Sequence, residues 1–324
     1  MNPPYQITPK ILNLVTAISE KIGQINAKYL DKPSPKLRKE NKVKTIHSSL
    51  KIEGNTLSEE QITAIFEKKR VVGPKKDVNE VLNAIKVYEQ LHKYKPESVK
   101  SFLSAHDTLM KGLVVDCGKF RNKGVGIMAG EKLAHVAPPA ENVPYLMNDL
   151  FNYLKSTDEI TLIKSCVFHY EVEFIHPFSD GNGRMGRLWQ TLILMKQYPV
   201  FEFIPFENLI HHTQNDYYKA LAQSDKVGNS TPFIEYMLGV IDESLSSMLD
   251  FKGKTMSSQE RLNYFIELTT NTFSRKDYMG VFKEISTATA SRDLKLGVEL
   301  GFFEKQGDKT NTIYRIPQPI TNEY

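Results

Sequence analysis

Cysteine is scarce in this 324-residue chain, and long apolar runs are missing. With only Cys117 and Cys166 there can be no disulfide framework and no Cys-x-x-Cys metal pair, which points to a reducing compartment. The most apolar helix-like run, Leu188 to Met195, is short and holds Trp189 and Gln190. A membrane span needs about 20 apolar residues, so no membrane association is expected. Met1-Asn2-Pro3-Pro4 has neither a basic n-region nor an apolar h-region, so a secretory leader is not expected either, and the chain reads as cytoplasmic. Charge of one sign is also lacking: 42 Lys and Arg face 38 Asp and Glu, and a net charge of +4 does not by itself mark a nucleic-acid binder. No long internal repeat or low-complexity segment is present.

What remains is an ordinary globular composition. Hydrophobic residues make up 40%, enough for at least one full core. At roughly 150 residues per domain the length suggests two or three domains. Helical periodicity dominates. Val81, Leu82, Ile85, Tyr88 and Leu91 form one stripe, and Phe102, Leu103, His106, Leu109 and Met110 another. Ile160, Ile163, Val167, Tyr170 and Phe174 form a third, followed by Leu188, Leu192 and Met195. Tyr217, Tyr218 and Leu221, then Phe233, Ile234, Met237, Leu238 and Ile241, supply two more, so the main body reads as an all-α bundle. Residues 124–130 break the pattern and, with Leu133 to Val136, read as a small β-hairpin closed off by Pro138-Pro139.

The densest chemistry lies in His176-Pro177-Phe178-Ser179-Asp180-Gly181-Asn182-Gly183-Arg184-Met185-Gly186-Arg187. Pro177 disfavours helix at His176, so the preceding helix should stop near Ile175 and a new one start near Gly183. The first amides of a helix lack partners and carry partial positive charge, which makes an anion site. Gly181, Asn182 and Gly183 are therefore expected to cradle phosphates. Arg184 and Arg187 stand at i and i+3 and suit bidentate phosphate binding. Asp180 offers one carboxylate beside the cradle, as Mg²⁺ bound to phosphates prefers. His176 is the group in the loop suited to act as a base near neutral pH, and Phe178 reads as an apolar peg. The inventory suits a nucleoside triphosphate held next to a group that must lose a proton.

This stretch resembles the signature of the Fic family, His-Pro-Phe-x-Asp-Gly-Asn-Gly-Arg-x-x-Arg, with no departure from it. The resemblance implies a Fic-like helical bundle whose activity is transfer of AMP from ATP to a Ser, Thr or Tyr hydroxyl of a protein, with Mg²⁺ as cofactor. It also implies attack at the α-phosphorus. Doc-type members, which transfer the terminal phosphate, carry Ala and Lys at the positions of Gly181 and Gly183. Self-modification is common in such chains. Transfer of another group and removal of AMP on the same scaffold stay open.

Ser49-Leu50-Lys51-Ile52-Glu53-Gly54-Asn55 resembles the family's inhibitory motif, Ser/Thr-x-x-x-Glu-Gly/Asn. Gly54 suits a left-handed helix cap, and Ser58 with Gln61 forms a capping box for the next helix. Glu53 then lies in a last helical turn, where a carboxylate opposes the dipole at a cost of about 0.3–1 kcal/mol and seeks a cation. In the family that cation is the second signature arginine, here Arg187, and Ser49 could hydrogen-bond within the same brake. The hairpin, with Phe120-Arg121 before it, matches where the family positions its target. A protein partner is expected to add as a strand along the 125–139 flap.

Residues 251–258 read as a linker. Beyond them Leu262, Phe265 and Ile266 begin a helix, Ser274 and Ser286 can N-cap two more, and two strands flank a Gly307-Asp308 turn. Three helices and a hairpin resemble a winged helix. Arg292, Lys295, Lys305, Lys309 and Arg315 could meet DNA, but Glu284, Asp293, Glu299, Glu304 and Asp308 dilute their charge. Such modules also dock proteins or form homodimers, and a DNA-binding regulator is the reading from another functional class. The expected organisation is an N-terminal helical region over 1–96 with the inhibitory helix near 42–53, a catalytic core over 97–250, and a winged-helix-like domain over 257–324. His169 reads as a core residue, and His211-His212 lack partners at metal spacing, so no metal beyond transient Mg²⁺ is expected.

Overall fold

The computed structural model describes residues 3–28, 35–129, 132–155, 159–250, 257–269, 272–282, 285–307 and 312–317. Gly130 of the hairpin, residues 251–256 of the linker, and Glu284, Asp308 and Lys309 of the tail lie outside the described residues. The chain divides into two compact units, Met1–Lys32 with Glu40–Phe251 and Pro33–Lys39 with Lys252–Tyr324.

The described helices run in chain order as α1 (Pro9–Lys28), α2 (Pro35–Ile52), α3 (Glu59–Phe66), α4 (Lys75–Glu89), α5 (Val99–Met110), α6 (Val143–Lys155) and α7 (Thr161–Ile175). They continue as α8 (Asn182–Gln197), α9 (Phe206–His212), α10 (Gln214–Val227) and α11 (Thr231–Asp250). Between α5 and α6, β1 (Gly126–Ala129) and β2 (Lys132–Val136) pair antiparallel, with a bulge between Ile127 and Met128. The fold is mainly α with this small hairpin, as expected from the sequence.

Helix α7 is the axis of the first unit. Leu162, Ile163, Cys166, Val167, Phe168, His169, Tyr170, Val172 and Ile175 are all buried, because α6, α8 and α11 pack around it. Lys164 and Ser165 are buried with them, so the helix is covered on most of its faces and lies in the core. The single stripe expected from the sequence is too narrow here: Ile160 precedes the helix and is exposed, and Phe174 is only partly covered. Gly186 lets α8 close on α7, since a Cβ there would stand 2.6 Å from Cδ2 of buried His169. Around this axis, α1 buries Ile11, Ile18, Ile22 and Ile25 and packs on α11. All five apolar residues expected on α11, Phe233, Ile234, Met237, Leu238 and Ile241, are buried.

Helix α4 departs from its expected stripe. Val81, Ala84 and Val87 are buried, but so are Asp77, Glu80 and Asn83, while Leu82 is half exposed. The polar residues turn inward because each has a partner. Asp77 Oδ2 accepts from the backbone and hydroxyl of Thr56, Glu80 Oε2 from Asn55, and Asn83 donates to Lys111 O. Partnering removes most of the penalty of burying a polar group.

The second unit holds α12 (Ser258–Leu268), β3 (Thr272–Ser274), α13 (Arg275–Val281), α14 (Thr287–Glu299), β4 (Glu304–Gln306) and β5 (Ile313–Arg315). Ser274 N-caps α13 in a capping box with Asp277, and Ser286 caps α14. The strands form a three-stranded antiparallel sheet in the order β3-β5-β4, so the hairpin gains a strand, β3, that sequence reading did not anticipate. Leu262, Phe265, Phe273, Tyr278, Phe282, Ala290, Leu294 and Phe303 make its core. Asp293, expected to dilute the basic surface, is instead fully buried against Arg261, Oδ2 to Nε at 2.6 Å.

Candidate active site

The loop between α7 and α8 is built from both ends. At its start, His176 ends α7 with its N–H donating to Val172 O at 2.9 Å. Its backbone is left-handed, φ 49° and ψ 61°. A residue before proline ordinarily takes an extended conformation, so this is a departure from the usual preference. At the other end, Gly181 is left-handed at φ 86°, and a Cβ on it would meet Met110 Sδ at 2.8 Å. Phe178 is the peg between them: it is fully buried, 3.6 Å in centroid distance from His106 and 5.3 Å from Phe102. Asn182 closes the loop with both ends of its amide, Oδ1 accepting from Phe178 N at 2.8 Å and Nδ2 donating to Phe178 O at 3.0 Å.

His106 holds the middle. Gly118 N–H donates to its Nδ1 at 2.9 Å, so the ring proton sits on Nε2 and is donated to Asp180 O at 3.0 Å. This requires a neutral imidazole, and burial lowers the His106 pKa in the same sense.

Beyond Gly181 the first amides of α8 have no acceptor within the helix, Met185 N being the first to bond, to Gly181 O at 3.0 Å. Asp180 stands beside them. Its Oδ1 accepts from Gly181 N at 2.5 Å and from Arg184 Nη2 at 3.0 Å, and half of its side chain is open to solvent. A half-exposed carboxylate next to unpartnered helix-start amides fits a hard cation that takes its remaining ligands from phosphate and water. Among the described residues there is no group of three or more acidic, His or Cys side chains that would hold a metal without such a ligand.

The two arginines diverge. Arg184 is buried against Glu80, Nη1 to Oε1 at 3.3 Å. Arg187 is 1% exposed and points to α2. Its Nε donates to Ser49 Oγ at 3.1 Å, and its Nη2 to Ser49 O at 3.0 Å and to Glu53 Oε1 at 2.7 Å. Glu53 itself stands one residue past the last residue of α2, its N–H bonded to Leu50 O at 3.0 Å, with Gly54 left-handed at φ 88°. Both arginines are thereby linked to one segment, Arg187 directly and Arg184 through Glu80, whose second oxygen accepts from Asn55 at 2.8 Å.

The Fic/DOC family profile matches residues 96–194, which include the loop and both arginines but not Ser49 or Glu53. A crystal structure of a Fic family protein from Desulfovibrio desulfuricans G20 is 40% identical, superposes with a TM-score of 0.75, and is covered over 98% of each chain. The chain belongs to the Fic family. Among curated relatives, the protein adenylyltransferase Fic of Nematostella vectensis is 29% identical over 258 residues, 74% of this chain and 58% of that one. Protein adenylyltransferase fic-1 of Caenorhabditis elegans is 27% identical over 67% of this chain and 42% of its own. The chain thus spans about half the length of the curated relatives it matches.

Within this Fic fold the loop residues singled out from sequence, His176, Asp180, Gly181, Asn182, Gly183, Arg184 and Arg187, lie on one loop and the helix it opens, and Ser49 at the end of α2 and Glu53 just past it meet Arg187. The amide of Asn182 is spent on the loop itself, which leaves its backbone to face an anion. Gly183 proves to have a second neighbour: a Cβ there would lie 2.6 Å from Glu53 Oε1, 3.0 Å from Arg187 Nη1 and 3.2 Å from Glu173 Oε1.

Glu173 was not anticipated. Its side chain is 12% exposed, and its Oε1 lies 2.8 Å from the Tyr217 hydroxyl. Burial pushes its pKa up to about 7, against the pull of Arg187. The proton count around Tyr217 agrees. Gln190 Nε2 donates to Cys166 Sγ, so Gln190 Oε1 accepts from His169 Nδ1 at 2.7 Å and leaves His169 Nε2 a bare acceptor, 3.1 Å from the Tyr217 hydroxyl. One hydroxyl proton then faces two acceptors, a shortage that a protonated Glu173 relieves. Its i−3 spacing from His176, on the helix that ends at the loop, is the sequence signal that could have found it. Glu80 and His106 were missed as site residues because each sits within an ordinary helical stretch and meets the loop only through the fold.

No helix among the described residues is long and apolar enough to cross a membrane.

Proposed function

We propose that this chain transfers the AMP moiety of ATP to a Ser, Thr or Tyr hydroxyl of a protein and that Glu53 restrains it. The observation that carries this reading is the convergence of His176, the Asp180 carboxylate and the free amides of α8 on one loop, with Arg187 tied to Glu53 at 2.7 Å beside it. The relatives named as adenylyltransferases support the same reaction class.

In this reading the triphosphate lies over the amides of Asn182, Gly183 and Arg184, where the helix terminus favours negative charge. His176 takes the proton of the incoming hydroxyl, whose oxygen bonds to the α-phosphorus while the bond from that phosphorus to the bridging oxygen of pyrophosphate breaks. Bound Mg²⁺, held by Asp180, would neutralise charge on the phosphates. Arg184 stabilises the departing charge, and positioning and fixed electrostatics supply most of the rate. Arg187 would hold the terminal phosphate, but only once Glu53 lets go. While the pair stands, ATP binds in an unproductive pose. The β1–β2 hairpin, with its bulge, suits strand addition by a target segment, which is tolerant of sequence.

The test is to offer ATP labelled at the α- or the γ-phosphate, with Mg²⁺, to the Glu53→Gly variant. Transfer of α-label that His176→Ala abolishes supports the reading. Transfer of γ-label alone makes the chain a phosphotransferase on the same scaffold. Release of AMP from a pre-modified protein makes removal the dominant chemistry.

The C-terminal unit is read as a winged helix. Arg292 and Lys295 are exposed on α14, and the burial of Asp293 removes one of the acids that diluted them. DNA binding there predicts salt-dependent retardation of a duplex by the full chain, lost on reversing the charge of Arg292 and Lys295.

A further inference from the structure

We infer that Arg121 is a positioning residue that ties His176 to the roots of the β1–β2 hairpin, so that the base and the target-presenting strand are held as one piece. This rests on the proposed AMP transfer with His176 as base.

The Arg121 side chain is an unusual one. It is 3% exposed, and among the described residues no carboxylate lies within ion-pair distance of it. Its guanidinium is spent on carbonyl oxygens: Nε donates to His176 O at 2.7 Å, Nη1 to Lys123 O at 2.9 Å, and Nη2 to Pro138 O at 2.6 Å and Ile175 O at 3.2 Å. Its own backbone N–H donates to Pro177 O at 2.9 Å. One residue therefore holds three successive carbonyls, of residues 175, 176 and 177, together with two that flank the hairpin on either side.

The positions of those carbonyls explain why an arginine is needed. Ile175 and His176 end α7, where unpaired carbonyls and the negative end of the helix dipole attract a cation. The guanidinium offers five donors in a fixed planar fork, and a lysine ammonium at one point cannot span the same set. His176 is also held in the left-handed region before a proline, a conformation that costs about 1–3 kcal/mol and persists only where the surroundings over-determine it. Arg121 supplies that determination through His176 O on one side and Pro177 O on the other.

The second half of the loop does not depend on Arg121. Asn182 brackets Phe178, and His106 holds Asp180 O. Loss of Arg121 should therefore release the base and the hairpin while leaving the phosphate-facing turn intact. An arginine with a merely structural role would weaken the whole site together.

The experiment is Arg121→Lys in the Glu53→Gly background, with the ATP dissociation constant measured by equilibrium binding and the rate of AMP transfer at saturating ATP. The expected result is a rate about 100-fold lower with ATP affinity changed by less than about threefold, because misplacing a reacting group by an ångström costs on that order. An unchanged rate, or affinity and rate falling together, overturns the inference. A Glu53→Gly parent that transfers no AMP is a failure of the functional reading instead. In either case, native-state amide exchange on the wild-type chain tests the clamp without a variant. The Arg121 and His176 amides should be protected to the same degree, and an Arg121 amide that exchanges many-fold faster than that of His176 overturns it.

Discussion

Gly183 lacks a side chain where Glu53 needs the room: Glu53 Oε1 occupies a point 2.6 Å from where a Cβ on Gly183 would stand. The same carboxylate oxygen bonds Arg187 at 2.7 Å. A glycine that reads in sequence as part of a phosphate cradle therefore also seats the brake. This makes the two residues energetically dependent. Gly183→Ala should destabilise the wild-type chain by about 1–2 kcal/mol, because the Cβ must displace a carboxylate that is pinned by its ion pair. In the Glu53→Gly background the nearest obstacle is gone, and only Arg187 Nη1 at 3.0 Å and Glu173 Oε1 at 3.2 Å have to give by a few tenths of an ångström. There the substitution should cost distinctly less than in the wild-type chain. A double-mutant cycle read by thermal unfolding checks this, and a coupling energy below about 0.5 kcal/mol refutes the dependence.

Glu173 gives stability a pH dependence of known sign. Its pKa is raised from 4.5 to about 7 in the folded chain. Between those values the unfolded chain has lost the proton and the folded chain has kept it, so raising the pH favours unfolding. The contribution is full below about pH 4.5 and is lost as the pH climbs to about 7. Glu171 and Glu207, each also raised to about 7 by burial, act in the same direction. Buried His169, pushed down to about 3, acts in the opposite direction, costing stability as the pH falls below 6.5. Glu173→Gln isolates one contribution: it should raise the melting temperature by about 2–6 °C at pH 8 and hardly at all at pH 5. An equal change at both pH values argues against a protonated Glu173.

Gly186 tests the α7–α8 contact. A Cβ at this position would lie 2.6 Å from Cδ2 and 3.1 Å from Nε2 of His169, a ring fixed between Gln190 and Tyr217. Neither helix can retreat cheaply from a packed core. Gly186→Ala should cost about 1–3 kcal/mol by urea unfolding despite its gain in helix propensity. A neutral result means that the two helices are not held as closely as described.

The signature loop could be read from sequence because its chemistry is contiguous: His176, Asp180 and the glycines need only a helix end and a helix start to come together. Glu53 could be read because residues 49–55 resemble the family's inhibitory motif, while Gly54 and the Ser58–Gln61 capping box fix only the helix terminus beside it. What was not legible depends on partners distant in the chain. Glu80 meets Arg184 across 104 positions, and Arg121 meets His176 across 55. Leu82 departs from its apolar stripe because spacing alone cannot foresee that Asp77, Glu80 and Asn83 turn inward to polar partners. Strand β3 escaped because it is three residues long and its last residue, Ser274, doubles as the N-cap of α13.

The restraint itself is open to one assay: the initial rate of α-labelled AMP incorporation by wild type, Glu53→Gly, and Glu53→Gly with His176→Ala, at equal protein and saturating Mg²⁺-ATP. Freeing Arg187 for the terminal phosphate should raise the rate at least about tenfold in Glu53→Gly, the equivalent of about 1.4 kcal/mol in barrier. Adding His176→Ala should return it to background. Equal rates in wild type and Glu53→Gly, or label that survives His176→Ala, would mean that the Glu53–Arg187 pair is not a brake or that His176 is not the base.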